Sequence, residues 1–385
     1  MKLAVPTETR PGERRVAVVP EVAGRLSGSG VEVFVQAGAG SAANFSDSVY
    51  SDRGAEVVGD LAALLEGAEV VAKVNAPSPE EARHLPVGVT VVSFLQPAAQ
   101  LDSVTALAER RATAFSLDLV PRISRAQSMD ALSSQATVSG YLSTLAAAVR
   151  LPKFFPMFMT AAGTVPPAKV LVLGAGVAGL QAIATARRLG AQVRAYDVRS
   201  AAKEEVQSLG ASFVELELES QEGEGGYARA QSEEFLARQR ELIGNEVAAS
   251  DVVITTAAVP GRKAPVLVTA EMVGRMAHGS VLVDMAADSG GNCELSEPGE
   301  EIDSGGVMVY GMANPPSQMP THASFLYSRN VANFLGLIVT DGVLRPDFED
   351  EVVAGSCVLR EGSAINEQIR QLLGEAGAEE KEDVS

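Results

Sequence analysis

The stretch KVLVLGAGVAGLQAIATARRLGAQVRAYDVR, from Lys169 to Arg199, decides the fold of this chain. Its apolar start, Val170–Leu173, predicts a buried strand, and three glycines follow with the spacing G-x-G-x-x-G: Gly174, Gly176 and Gly179. Good helix formers extend from Leu180 to Leu189, and Gln192–Tyr196 predicts a second strand. A strand, a glycine turn, a helix and another strand within about 30 residues predict one βαβ unit of a parallel sheet.

The glycine turn predicts a nucleotide site. Gly174 permits the tight turn, Gly176 lets the backbone approach a pyrophosphate, and Gly179 lets helix and strand pack closely. With Ala175 and Val177, the turn offers free backbone N–H groups at a helix start, where an anion is stabilised. The alternative is a tight turn without a ligand, but the order of strand, turn, helix, strand and acid favours dinucleotide binding.

That acid, Asp197, indicates which dinucleotide to expect. It stands at the tip of the second strand, where a carboxylate accepts hydrogen bonds from the adenosine ribose hydroxyls. The same charge repels the 2′-phosphate of NADP(H), so NAD(H) is the predicted cofactor. Val198 and Arg199 complete the predicted adenosine site, and Arg199 ranks second to Asp197, as a ligand for a 2′-phosphate.

Composition excludes several classes of function. The 385 residues carry a formal net charge of -18, which disfavours nucleic acid and anionic membrane surfaces as direct partners. No apolar run reaches the roughly 18 residues that a spanning helix needs, so we expect no direct membrane insertion. The two cysteines and three histidines are scattered, which predicts neither a metal site nor a disulfide framework. A cytoplasmic protein is the resulting expectation.

Strands alternate with helices along most of the chain, which predicts the α/β class. We expect two Rossmann-like, doubly wound parallel-sheet domains with a nucleotide cleft between them. The predicted division is an N-terminal domain of residues 1–125 plus about 330–374, a linking helix and loop at 126–165, an NAD-binding domain at 166–329, and a disordered acidic tail at 375–385.

A polar loop, PRISRAQSMDALSSQ from Pro121 to Gln135, precedes the predicted nucleotide-binding domain. Gln127, Asp130 and Ser133 have the donors and acceptors that a nicotinamide carboxamide requires, and Arg122 can orient Asp130 or reach a phosphate. The alternative is a helix start capped by Asp130 or Ser128, with solvated arginines. The position between two α/β domains favours a ligand-binding loop.

Further candidates follow the predicted strands at their carboxyl ends, where open α/β sheets bind ligands. They are Thr255, Thr256, Ala257 and Asn314, together with the run Asp284–Asn292, and ordinary strand packing is an equal alternative for Thr255. An acidic, glycine-rich stretch at residues 219–230 contains Tyr227 as its only aromatic. It is either a mobile lid over bound nucleotide or a solvated loop.

Three other side chains suggest a different chemistry. Lys73, Arg15 and Asp288 are candidate catalytic groups for a dehydrogenase that acts on a small acid. A lysine late in the apolar strand Val70–Val74 is unusual, and the alternative is a charge that reaches solvent at the sheet's edge.

The chain resembles a known family over nearly its full length. The similar stretches are RPGERRVAVVPE from Arg10, PRISRAQSMDALSSQ from Pro121, MTAAGTVPPAKVLVLGAGVAGLQAIATARRLGA from Met159, GGYA from Gly225 and GGNCELSEPG from Gly291. They resemble the NAD(H)-binding component, domain I, of proton-translocating nicotinamide nucleotide transhydrogenases. The related alanine dehydrogenases share the fold and the glycine turn, but neither RISRAQSMD nor the GGYA loop.

The resemblance implies a homodimer that binds NAD(H) between its two domains and exchanges hydride with NADP(H) on a separate domain III, while a membrane domain II couples the exchange to proton movement. It implies that Arg122, Gln127, Asp130 and Ser133 surround the nicotinamide. It also places Gly174–Gly179 on the pyrophosphate, Asp197 on the ribose and Tyr227 in a mobile loop. The chain ends before any membrane helix, so we expect a subunit at the cytoplasmic face of the membrane that needs membrane partners.

Phe94, in SFLQPA, stands where a histidine is expected in the alanine dehydrogenases and in some transhydrogenases. Oxidation of an amino or hydroxy acid needs a base that accepts a proton as hydride leaves, whereas transfer between two nicotinamides does not. Phe94 therefore favours transhydrogenation. An amino-acid dehydrogenase and a nucleotide-sensing module without turnover are the two alternatives.

Overall fold

The structure is a computed structural model that describes residues 1–215, 233–257 and 263–365, together with 367, 369–371 and 373–374. Two compact units are formed, unit 1 by Met1–Gln135 with Pro316–Ser385 and unit 2 by Ala136–Pro315. The loop at 219–230 with Tyr227, and the acidic tail at 375–385, lie outside the described residues, so both expectations stay predictions.

Unit 1 begins with strands that alternate with short helices. In chain order these are β1 (Lys2–Val5), α1 (Pro20–Gly28), β2 (Glu32–Gln36), α2 (Asp47–Asp52), β3 (Glu56–Val58), α3 (Leu61–Leu65), β4 (Val70–Asn75), α4 (Pro79–His84), β5 (Thr90–Phe94), α5 (Leu101–Glu109) and β6 (Thr113–Ser116). A 3-10 turn at Ser124–Met129 follows, and α6 (Ala131–Arg150) continues into unit 2.

Unit 2 opens with a small antiparallel hairpin and then repeats the alternation. Its elements are β7 (Phe158–Thr160), β8 (Gly163–Val165), β9 (Lys169–Leu173), α7 (Val177–Arg188), β10 (Gln192–Tyr196), α8 (Ala202–Ser208), β11 (Ser212–Phe213), α9 (Glu233–Ala248), β12 (Val252–Thr255), α10 (Ala270–Gly274), β13 (Val281–Asp284), β14 (Glu301–Ser304) and β15 (Val307–Gly311). The short helix α11 (Pro315–Gln318) begins at the last residue of unit 2 and lies mainly in unit 1.

The chain then returns to unit 1. The returning elements are α12 (Pro320–Ile338), β16 (Val339–Thr340), β17 (Val343–Leu344), α13 (Glu351–Ser356), β18 (Cys357–Arg360) and β19 (Ser363–Ala364). The sheet of unit 1 has the order β19-β18-β6-β5-β4-β1-β2-β3, in which β1 to β6 run parallel and β18 is antiparallel to both of its neighbours, β6 and β19.

The sheet of unit 2 has the order β11-β10-β9-β12-β13-β15-β14, and only its edge strand β14 is antiparallel. Successive residues of β9 enter different cores: Val170 and Val172 pack on one face, Leu171 and Leu173 on the other. Burial on both faces explains why the strand is apolar at every position. The prediction of two Rossmann-like α/β domains with parallel sheets is confirmed.

Among the parallel strands of each sheet, the strand order reverses once. In unit 2 the reversal lies between β9 and β12, and in unit 1 it lies between β1 and β4. In open α/β sheets, ligands bind outside the carboxyl ends of the strands at such a point. The glycine turn directly follows β9, and Thr256 directly follows β12, so both lie at the reversal of unit 2.

Within the described ranges, no helix is long and apolar enough to cross a membrane.

Candidate functional site

The glycine turn of unit 2 is held by close backbone packing. Gly174 has φ +101°, a conformation that L side chains rarely adopt, and its carbonyl accepts a 3.1 Å hydrogen bond from Thr256 Oγ1. A Cβ atom on Gly179 would overlap the backbone of Gly174. Two of the three glycines are therefore required by the protein's own packing.

Gly176 is different, because a Cβ atom there would meet nothing within 4 Å. Gly176 and Val177 are exposed, and the helix that they begin, α7, has no side-chain cap and no acidic residue in its first turn. Open space before uncapped N–H groups is what an approaching pyrophosphate requires. The turn therefore fits the phosphates of a dinucleotide, with Gly174–Gly179 as the residues that would hold them.

Asp197 follows β10 and contacts the same turn. One carboxylate oxygen accepts a 2.7 Å hydrogen bond from Ala175 N, and the other accepts a 2.8 Å bond from Arg199 N. Burial raises the pKa of Asp197, but hydrogen bonds from Arg199 and Ala175 outweigh it and lower the pKa below its usual value. The carboxylate is thus ionised at neutral pH beside the predicted ribose position.

At the carboxyl end of β12, Thr255 lies in the packed interior, whereas Thr256 and Ala257 lie beside the glycine turn. Thr255 is fully buried, and its hydroxyl donates a 2.9 Å hydrogen bond to Asp284, so its side chain belongs to the packed interior. Thr256 and Ala257 are half-buried: Thr256 Oγ1 donates to the backbone oxygen of Gly174, and Ala257 N donates to the side-chain oxygen of Asn292. The packing alternative therefore describes the Thr255 side chain in this structure.

Asp284, at the end of β13, is a buried carboxylate to which the sequence assigned no role beyond its place at the carboxyl end of a strand. Besides Thr255 Oγ1, its oxygens accept hydrogen bonds from the backbone N–H groups of Ala286, Asn292 and Cys293 and from Ser296 Oγ. Five donors compensate the cost of burying one charge, and they fix the loop after β13. An acid at the end of an otherwise apolar strand, followed by Gly-Gly-Asn, is the signal that identifies it.

Asn292 continues this arrangement. Its side-chain oxygen accepts from Ala257 N at 2.9 Å, and its amide group donates to Ala257 O at 2.8 Å and Pro265 O at 2.7 Å. Asn292 thus connects the two ends of residues 258–262, which lie outside the described part of the chain. Nearby, Asn314 has φ +40°, and its backbone N–H donates a 2.6 Å bond to Asp288. Asp288 is therefore engaged as an acceptor for a loop.

In unit 1, the polar loop ends in a helix cap. Asp130 precedes α6, and its carboxylate accepts from Ser133 N at 2.9 Å and Ser133 Oγ at 2.6 Å. The capping alternative therefore describes these two side chains. Arg122 and Gln127 are exposed, and neither side chain has a hydrogen bond or ion pair with the residues that the structure describes. Both are available to a ligand.

The loop itself is anchored to the rest of unit 1. The carbonyl of Ser128 accepts two hydrogen bonds from α12, 2.9 Å from Asn330 and 3.0 Å from Asn333. Arg125 forms an ion pair with Asp350 at 2.9 Å, so the second arginine of the loop is not simply solvated. The two hydrogen bonds from α12 fix the backbone that carries Arg122 and Gln127.

Lys73 lies in a buried ionic network of unit 1. Only 2 % of its side chain is exposed, and Nζ lies 2.6 Å from Glu81 and 3.8 Å from Glu8. The alternative that Lys73 reaches solvent is therefore wrong, because two carboxylates compensate its charge in the interior. Glu8 also accepts a 2.6 Å hydrogen bond from Val74 N.

Arg15 is engaged in the same way. Glu13 pairs with Arg15 at 2.7 Å, Gln135 accepts a 2.9 Å bond from Arg15 Nη1, and Glu13 also accepts from Asn75 Nδ2 at 3.0 Å. Burial raises the pKa of Glu13, but the hydrogen bonds and charge of Arg15 lower it to about 2. Both cations that were candidates for a small-acid site are thus paired with internal carboxylates.

Comparison with protein families gives two matches that together span most of the chain. The model described as Alanine dehydrogenase/PNT, N-terminal domain, matches residues 4–139. The model described as Alanine dehydrogenase/PNT, C-terminal domain, matches residues 143–367 and therefore includes the glycine turn and Asp197.

Individual relatives agree with these matches. An NAD(P) transhydrogenase alpha subunit of Rhodospirillum rubrum is 46% identical over 376 residues, covering 95% of this chain and 98% of the relative. An alanine dehydrogenase of Halomonas elongata is 30% identical over 381 residues, covering 97% of each chain. Among solved structures, a transhydrogenase from Sinorhizobium meliloti superposes with a TM-score of 0.87 at 42% identity, covering 95% of this chain and 100% of that one.

Proposed function

The chain belongs to the alanine dehydrogenase/PNT family, and from this premise we propose that it is the NAD(H)-binding alpha subunit of a proton-translocating NAD(P) transhydrogenase. In this role it exchanges hydride between NADH and NADP⁺, and the NADP(H) is held by a partner domain, not by this chain. The greater identity to a transhydrogenase subunit than to an alanine dehydrogenase, 46% against 30%, supports the choice within the family.

The observation that carries the proposal is the glycine turn at the strand reversal of unit 2. Gly176 leaves open space before the uncapped start of α7, and the ionised Asp197 lies against the same turn. The turn binds the pyrophosphate through backbone N–H groups, and Asp197 receives the ribose hydroxyls. When bound, the nicotinamide of NADH supplies the hydride.

The polar loop of unit 1 serves the nicotinamide end of the cofactor. Gln127 and Arg122 are exposed and free of partners among the described residues, whereas Asp130 and Ser133 hold each other at the start of α6. Gln127 offers both a donor and an acceptor for a carboxamide. The Asp130–Ser133 pair fixes the backbone beside it, so that the ring is oriented for transfer.

The absence of an evident base at Phe94 supports transhydrogenation over amino-acid oxidation. Phe94 packs on Tyr327, with ring centroids 5.1 Å apart, and the Tyr327 hydroxyl donates to Lys73 O at 2.8 Å. Burial raises the pKa of Tyr327 well above its usual value, so this phenol is a poor proton acceptor. Arg15 and Lys73 are already paired with Glu13, Glu81 and Glu8.

The proposed assembly follows from the family. We propose a homodimer that contacts a domain III carrying NADP(H) and membrane-embedded subunits that couple hydride transfer to proton translocation. The chain itself then lies at the cytoplasmic face of the membrane, and its partners provide the attachment.

A pair of assays tests the proposal. The purified chain is mixed with the NADP(H)-binding partner, and cyclic hydride transfer between NADH and an NAD⁺ analogue is followed. Reductive amination of pyruvate by NADH is then measured without the partner. We expect the first activity and not the second. Amination alone would establish an alanine dehydrogenase, and tight NADH binding with neither activity would favour a nucleotide sensor.

A further inference from the structure

Arg199 lies at the predicted ribose position and is held there by Asp197. Its Nε and Nη2 donate to the two carboxylate oxygens at 3.0 and 3.1 Å, and Nη2 also donates to Ala175 O at 3.2 Å. The Asp197 side chain is only 8% exposed, whereas that of Arg199 is 58% exposed. A solvent-facing guanidinium thus covers a nearly buried carboxylate beside the glycine turn.

This geometry is that of a two-point anion contact. A guanidinium presents parallel N–H donors that match either a carboxylate or a phosphate. Arg199 uses this pair of donors on Asp197. In nucleotide-binding sheets of this type, an arginine near this strand tip accommodates the 2′-phosphate of NADP, where an acid otherwise binds the ribose hydroxyls. Both residues are present here, two positions apart.

We propose that Arg199 is a masked 2′-phosphate ligand and that Asp197 excludes NADP(H) in two ways, by repelling the phosphate and by occupying the guanidinium that would bind it. This inference rests on the proposed nucleotide site. It goes beyond that site, because charge repulsion by Asp197 alone predicts no role for Arg199 in cofactor choice.

Repulsion alone and masking of Arg199 predict different NADPH affinities for a double substitution. Asp197→Asn keeps a side-chain oxygen that can accept from Ala175 N, but it removes the charge and releases Arg199. If repulsion alone excludes NADPH, the gain in NADPH affinity survives when Arg199 is also removed. If Arg199 becomes the phosphate ligand, the gain disappears in Asp197→Asn/Arg199→Ala.

Fluorescence titration of NADH and NADPH is carried out on the full-length wild-type chain, both single variants and the double variant. We expect Asp197→Asn to bind NADPH at least about tenfold more tightly than wild type, a difference of about 1.4 kcal/mol. Arg199→Ala should bind NADPH no better than wild type, and the double variant should lose the gain. Asp197→Ser serves as a second way to release Arg199, and urea denaturation reports that each variant is folded.

Arg194→Ala is the matched control, because Arg194 is a similarly exposed arginine on β10 that pairs with Glu246, away from the turn. In the Asp197→Asn background it should leave the NADPH gain intact. A gain that persists without Arg199, or no gain in either Asp197 variant although both are folded, would overturn the inference alone. Failure of the wild type to bind NADH would overturn the inference together with the proposed site.

Discussion

Gly179 packs its bare Cα against the carbonyl of Gly174, so closely that a Cβ atom on Gly179 would overlap that oxygen. Gly176, three residues earlier in the same turn, has open space where its Cβ would lie. The two glycines therefore serve different purposes. Gly179 is needed by the fold, and in the proposed function Gly176 is needed by the ligand that approaches the backbone.

This difference predicts that stability and binding separate in two alanine variants. Gly179→Ala should lower the free energy of unfolding by at least about 2 kcal/mol, because backbone must move to admit the methyl group. Gly176 has φ -73° and ψ -172°, which alanine adopts, so Gly176→Ala should cost less than about 1 kcal/mol. It should nevertheless weaken NADH binding at least about tenfold. Urea denaturation and NADH titration of both variants provide the measurement, and equal effects of the two substitutions on stability would contradict it.

A second prediction concerns Asn292, whose amide connects Ala257 with Pro265. Asn292→Ala leaves three backbone groups without their partner, so we expect a loss of about 2 to 3 kcal/mol in the free energy of unfolding. NADH affinity should fall as well, because Thr256 and Ala257 adjoin the glycine turn. Asn333→Ala is the control, since this half-buried asparagine donates a side-chain bond to Ser128 O. Comparable losses in the two variants would show that Asn292 has no special role.

The features that sequence predicted are local ones. The strand, the glycine turn and the acid at the next strand tip are fixed by neighbours within about 30 residues, and spacing alone determines them. The parallel class follows from strands that are apolar at every position, as in Val170–Leu173.

The features that sequence did not predict depend on distant partners. Lys73 is buried because Glu8, 65 positions earlier, and Glu81 meet it in the fold. The hydrogen-bond partner of the Thr255 hydroxyl is Asp284 in the neighbouring strand, 29 positions later. From the sequence, Asp130 could either cap a helix or hydrogen-bond to a ligand. Only the structure shows that its partner is Ser133, in the first turn of α6.

The buried network of unit 1 should make stability depend on pH. The folded-state pKa of Glu13 is about 2, against an ordinary value of 4.5. Its stabilising contribution is therefore fully present above about pH 4.5 and is lost as the pH falls through about 2. The shift corresponds to about 3 kcal/mol at neutral pH. Glu13→Gln should lose stability of this order at pH 7, and its difference from wild type should shrink by about half at pH 3. Urea denaturation at both pH values measures it.

Glu8, in the same network, has a pKa shift opposite in direction to that of Glu13. Burial raises the pKa of Glu8. The charge of Lys73 and the hydrogen bonds from Val74 and Asn75 lower it, but by less, so the pKa is raised overall. A raised acid pKa gives a contribution that is present below the unfolded-state pKa and is lost as the pH rises through the folded-state pKa. Glu8→Gln should therefore improve relative to wild type as the pH rises, whereas Glu13→Gln worsens. Parallel pH profiles for the two variants would show that the network does not distinguish them.

The last prediction concerns the loop that carries Arg122 and Gln127. If the loop aligns the nicotinamide, its changes should impair hydride transfer more than binding, because we expect most NAD(H) affinity to arise at the pyrophosphate and ribose contacts. Misplacement of a reacting group by about 1 Å can cost on the order of a hundredfold in rate. We expect Gln127→Ala to lower the single-turnover rate at least about tenfold, which is about 1.4 kcal/mol. Asp130→Asn should act similarly by loosening its contact with Ser133.

Stopped-flow transfer with the domain III partner, beside equilibrium binding of NADH, separates rate from affinity. The dissociation constant for NADH should change by less than the rate in the Gln127 and Asp130 variants. Arg122→Ala should change both quantities, because a free guanidinium can reach a phosphate as well as a carboxylate. Arg125→Ala is the matched control, since this loop arginine pairs with Asp350 at the surface and should affect neither. If the Gln127 and Asp130 variants lose affinity and keep their transfer rate, the loop clamps the nucleotide and does not align the reacting ring.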